Sequence, residues 1–190
     1  MSGNYLERRP LVKAVLDARD GALVVPGLGS PTWDCFAAGG SDDYLYSWGG
    51  MGLALPTALG VALARPQRRV MCLTGDGEMM MGVGSLSVVG QQSPANLSVL
   101  VLDNEHFGET GKQPGLASTT DLCAVAMAVG FRQTMLVTAM EQVADLAQML
   151  FHTPGPNFAV AKIALTQDPL ELPEKDGALI AEAFRKAATG

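Results

Sequence analysis

Charge is scarce in this chain. Only 17% of its 190 residues are Asp, Glu, Lys or Arg, against roughly 25% in an ordinary soluble domain. Positive charge is scarcer still, with 13 Lys and Arg against 19 Asp and Glu for a net charge of −6. The only dense basic spots are Arg8-Arg9 and Arg68-Arg69. Nucleic-acid binding needs clustered positive charge, so it is not an expected activity. Cysteine is limited to Cys35, Cys72 and Cys123, widely spaced and with no Cys-x-x-Cys. That removes a disulfide framework, structural zinc and an iron–sulfur cluster, and fits free thiols in a reducing cytoplasm. No apolar run reaches the ~18 residues of a membrane helix. Met1 to Pro10 carries Asn4, Glu7, Arg8 and Arg9, which is not the apolar core of a signal peptide.

What is present is apolar, at 48% of residues. The length and the absence of any linker or repeat lead us to expect one domain over residues 1–190. Helical periodicity is expected over Leu6 to Arg19, Met51 to Ala64, Val83 to Gln92, Asp121 to Val129, Ala139 to Phe151 and Ala178 to Ala188. Short apolar runs at Ala22 to Val25, Arg68 to Leu73, Leu97 to Leu102, Phe131 to Leu136 and Phe158 to Leu165 read as strands. Helices alternating with nearly continuous apolar strands predict an α/β fold, a three-layer α/β/α sandwich around a mostly parallel sheet.

Ligands in such folds sit beyond the carboxyl ends of the strands. The residues there are Pro26-Gly27-Leu28-Gly29-Ser30, Gly75-Asp76-Gly77 and Asp103-Asn104-Glu105-His106-Phe107-Gly108. Glycines allow close backbone approach, and N–H groups at a helix start suit phosphate. Asp76 and Asn104 add hard oxygen donors of the kind magnesium accepts beside a substrate phosphate. A metal-bridged diphosphate is therefore one reading of the residues; plain turns at these strand ends are the other. The dinucleotide fingerprint lacks its third glycine, and no P-loop is present.

Gly75-Asp76-Gly77, followed 28 residues after Asp76 by Asn104 within Leu102-Asp103-Asn104, resembles the cofactor signature of thiamine-diphosphate enzymes. Gly49-Gly50-Met51-Gly52-Leu53-Ala54-Leu55-Pro56, 25 residues upstream, resembles their Met-Gly-x-x-x-Pro helix start. Thr110-Gly111-Lys112-Gln113 after the Asp-Asn pair is similar to the sulfopyruvate and phosphonopyruvate decarboxylases, where the diphosphate-binding domain can be a separate beta chain. The resemblance covers about residues 20 to 165.

It implies thiamine diphosphate and Mg2+ as cofactors. Asp76, Asn104 and the backbone carbonyl of His106 would ligate the metal. Gly29, Ser30, Thr32, Gly75 and Gly77 would donate to the diphosphate, with Gly50, Glu78, Phe107 and Gly108 adjoining the cofactor. Glu78 is expected to contribute only its backbone N–H, since its carboxylate would repel a diphosphate. Met51 would hold the two cofactor rings in a bent V, and the Gly49 carbonyl would accept from the aminopyrimidine. His106 is either a proton donor to substrate or a solvated loop side chain.

The same resemblance implies that a glutamate on a second, pyrimidine-binding domain is needed, and no room for that domain exists here. A separate alpha-type subunit is the expected partner, with self-association beside it. The low charge fits burial against like and unlike subunits. The substrate would be a 2-oxoacid, approached by Glu109, Thr110 and Lys112. Glu109 stands where the decarboxylases tend to have a small hydroxyl residue, and a phosphonate or sulfonate is poorly served by a carboxylate there. An acetolactate-synthase-like or 2-oxoacid oxidoreductase beta subunit, and a non-catalytic cofactor-binding module, are the alternatives.

Overall fold

The computed structural model describes residues 5–166 and 168–190. Its strands in chain order are β1 (Leu23–Pro26), β2 (Val70–Gly75), β3 (Leu97–Asp103), β4 (His106–Phe107), β5 (Gln113–Pro114), β6 (Gln133–Val137) and β7 (Asn157–Lys162). The helices are α1 (Arg8–Asp17), α2 (Ser30–Ala37), α3 (Ala54–Ala64), α4 (Asp76–Met81), α5 (Ser85–Gln92), α6 (Leu122–Ala128), α7 (Val143–Ala147) and α8 (Gly177–Thr189). Five strands form a wholly parallel sheet in the order β1-β2-β3-β7-β6, and β4 and β5 make a small antiparallel hairpin.

Both faces of the large sheet are covered, which is why its strands are apolar throughout. Every residue of β3 is buried, including Ser98 and Asp103. Alternate residues serve opposite cores. Val24, Met71, Leu73, Leu100 and Ala159 meet Leu11 and Val15 of α1 and Leu146 of α7. Leu23, Val25, Cys72, Val99 and Phe158 meet Leu55 of α3, Leu86 of α5 and Phe184 of α8. This is the expected three-layer sandwich.

Several boundaries differ from the sequence expectation for identifiable reasons. The first helix starts at Arg8 because the Leu6 N–H donates to the Lys162 carbonyl at 3.0 Å, making Leu6 a bridge to Ile163. The expected helix at Met51 starts only at Ala54, since Gly50 and Gly52 have φ of +74° and +91°, which an α-helix cannot contain. The helix expected over Ala139 to Phe151 is interrupted. It comprises a 3-10 turn at Met140–Gln142, α7, and a π-turn at Gln148–His152. The strand expected to run to Leu165 ends at Lys162. Helices α2 and α4 were not expected from the sequence. Both are short and open inside glycine-rich loops, with Pro31 in the first turn of α2, where it costs no hydrogen bond.

Candidate functional site

A cleft lies at the carboxyl ends of β1, β2 and β3. Its walls include Ser30, Met51, Asp76, Asn104, His106 and Glu109. The sheet register aligns these ends, pairing Gly75 with Leu102 and Asp103 with Lys162. Asp76 and Asn104 therefore emerge side by side from neighbouring strands.

Asp76 is 3% exposed, and its Oδ2 is buried without a hydrogen-bond partner. Burial, and then the charge of Asp103, push its carboxyl pKa up to about 6. Such an orphaned carboxylate oxygen costs free energy unless something pairs with it. Asn104 closes a turn, its Oδ1 accepting the His106 N–H at 2.8 Å and keeping a second lone pair. Asp103 makes a matching turn, its Oδ1 accepting the Glu105 N–H at 3.0 Å. Lys162 clamps this strand end, with Nζ 2.7 Å from both Asp103 Oδ2 and Glu105 Oε1. Among the described residues no three His, Cys, Asp or Glu side chains converge on a metal position. A metal held here would rest on one carboxylate, one carboxamide and backbone oxygen. That donor set fits a hard cation carrying other oxygen ligands of its own.

Gly77 is a cradle that a side chain would fill. A Cβ there would lie 2.6 Å from the Phe107 ring and 3.5 Å from Met51 Cε. Met51 is half-exposed at the cleft wall. It is held near Gly77 by a backbone contact so close that a Cβ on Gly82 would collide with the Gly52 carbonyl. The His106 ring Nδ1 lies 2.8 Å from the Asn104 carbonyl. Donation from Nδ1 leaves Nε2 free.

Five expected site residues, Gly29, Thr32, Gly49, Gly50 and Lys112, are not among those lining the cleft. Thr32 is fully buried, and its hydroxyl donates to the Gly27 carbonyl at 2.8 Å. Gly49 and Gly50 are exposed on the loop before α3, outside the cleft wall. Lys112 is also exposed and outside it. Glu78 carries more than a backbone N–H. Its carboxylate accepts from Leu28 N at 3.1 Å, Thr74 Oγ1 at 3.0 Å and Ala54 N at 3.3 Å. It thereby joins the loops after β1 and β2 to the start of α3. Burial raises its pKa, and those donors oppose the rise. Gly27 is required beside it, since a Cβ there would collide with Glu78 Oε2.

Arg8 is the charged cleft residue that sequence reasoning missed. It is 6% exposed, pairs with the buried Asp34, and lies 2.9 Å from Asp168. Its signal was periodicity, because Arg8 shares the buried face of α1 with Leu11, Val12 and Val15. The methionines divide: Met79 is buried in the core and Met81 is 63% exposed. Trp48 is held by the C-terminal segment, its Nε1 donating to the Glu174 carbonyl at 2.7 Å.

A parallel α/β sandwich with glycines, one carboxylate and one carboxamide at adjacent strand ends defines a protein that holds a phosphorylated cofactor. Residues 35–161 match the thiamine pyrophosphate enzyme family, C-terminal TPP-binding domain. The chain belongs to this family. It is 37% identical to phosphonopyruvate decarboxylase of Streptomyces viridochromogenes over 88% of this chain and 42% of that protein. It is 32% identical to sulfopyruvate decarboxylase subunit beta of Methanothermobacter thermautotrophicus, covering 97% of both chains. It thus spans less than half the length of the first relative and nearly all of the second. Benzoylformate decarboxylase of Polynucleobacter necessarius superposes with a TM-score of 0.69 at 21% identity, over 89% of this chain and 36% of that one.

Proposed function

We propose that this chain is the diphosphate-binding subunit of a thiamine-diphosphate-dependent 2-oxoacid decarboxylase. The observation that carries the reading is the unpartnered, buried Asp76 Oδ2 beside Asn104 at adjacent strand ends. The near-complete match to a decarboxylase beta subunit supports it. Asp76, Asn104 and the His106 carbonyl would hold Mg2+. The backbone at Gly29, Ser30, Gly75 and Gly77 would take the diphosphate. Met51 would support the cofactor's bend, with the loop at Gly49 reaching its aminopyrimidine. When bound, the cofactor supplies an electron sink for the pair left as carbon dioxide departs. The chain's own residues bind and orient. Phe107 and Met51 shield the floor at Gly77, and His106 Nε2 stands free to hold a proton at the cleft wall.

The partner in this reading is an alpha-type subunit carrying a pyrimidine-binding domain and its glutamate, and self-association is expected beside it. The reading concerns the soluble interior of the cell; among the described residues no helix is long and apolar enough to cross a membrane. The test is Mg2+-dependent thiamine diphosphate binding by the complex of this chain with its companion. Asp76→Ala is expected to abolish it, and unchanged binding refutes the metal assignment.

A further inference from the structure

The 3-10 turn Gly108–Thr110 folds across the cleft and brings Glu109 to the start of α2. Glu109 and Ser30 line the same cleft. Its Oε1 lies 3.3 Å, and its Cδ 3.5 Å, from where a Cβ on Gly29 would stand. Gly29, at φ +78°, is the N-cap of α2 and offers no side chain of its own to the first-turn N–H groups. Those groups lack intrahelical partners and favour a nearby negative charge. Arg8 is the cation whose field reaches Glu109, and with Ser30 it opposes the effect of partial burial on the carboxyl. Gly29 and Ser30 are also the residues to which the proposed function assigns the diphosphate. Two anions cannot share that seat.

We infer that Glu109 sets the cofactor affinity of this chain, because its carboxylate stands beside Gly29 at the start of α2 and must move aside before a diphosphate enters. The inference rests on the proposed cofactor reading. The local fold permits the exchange without disturbing the metal donors. The base of the β4–β5 hairpin is fixed by Lys162 on Glu105 and by the Gly115 N–H donating to the Glu105 carbonyl at 2.7 Å. The tip beyond it has Gly111 and Lys112 in the left-handed region, at φ +122° and +58°. Glu109 can swing with the tip while Asp103, Asn104 and Glu105 stay in place.

The test uses this chain in complex with its companion, as wild type, Glu109→Gln and Glu109→Ser. Mg2+ with thiamine diphosphate and Mg2+ with inorganic pyrophosphate are titrated separately by calorimetry. Hydrogen exchange of residues 106–112 is measured without ligand. Removing one competing carboxylate from a helix start is expected to tighten both probes by about tenfold and to speed exchange at the tip. Equal or weaker binding of both probes in the variants overturns the inference. Equal binding of thiamine diphosphate to all three proteins leaves the cofactor reading standing while the inference falls. Tighter pyrophosphate with no thiamine diphosphate binding anywhere upholds the seat and defeats the cofactor reading.

Discussion

Two carboxylates only two residues apart, Asp76 and Glu78, show what burial does to an acid. Glu78 is buried with three donors on its oxygens, whereas Asp76 keeps an oxygen with none. Glu78→Ala strands those donors in the interior and is expected to destabilise the chain by about 2–4 kcal/mol. Glu78→Gln, which still accepts, should cost markedly less; urea unfolding of both variants reads the difference. Asp76 behaves in the opposite way. Its folded pKa is raised to about 6 from 3.8, so the metal-free folded chain binds this proton more tightly than the unfolded chain does. The associated stability is fully present below about pH 4 and is lost as pH rises through 6. Asp76→Asn should therefore stabilise the metal-free chain at pH 7.5 by about 1–3 kcal/mol. The gain should vanish toward pH 4, and a difference independent of pH would contradict it. The position of Asp76 was legible because a carboxylate between two glycines at a strand end has few structural uses. Arg8 and Thr32 were not, because their partners Asp34 and Ser47 come from elsewhere in the chain.

At the scale of elements, the parallel strands could be read because burial on both faces leaves them apolar in sequence. Four of the five came out within two residues at each end, and β7 was over-extended by three residues at its carboxyl end. Helices α2 and α4 escaped because they have eight and six residues, too short for a periodic pattern to stand out against the glycines that open them. The same glycines matter for packing. Gly90 in α5 sits against the end of α6 so closely that a Cβ would collide with the Val129 carbonyl. Gly90→Ala is expected to destabilise the chain by about 2 kcal/mol or more, although alanine favours a helix. A rise in thermal midpoint would show that α5 and α6 are not packed as described.

For the whole molecule, the cleft is open and its cofactor contacts come from one side only in the proposed reading. In that reading a companion chain would supply the second side and the activating glutamate. The role inferred for Glu109 was illegible, because its neighbours Gly29 and Ser30 lie far from it in the chain. The most direct measurement is carbon dioxide release from a panel of 2-oxoacids, with Mg2+ and thiamine diphosphate, by this chain alone, by its complex with the companion, and by the Asp76→Ala complex. The account predicts steady turnover by the wild-type complex only. Steady turnover by the isolated chain, or by the Asp76→Ala complex at the wild-type rate, would contradict it.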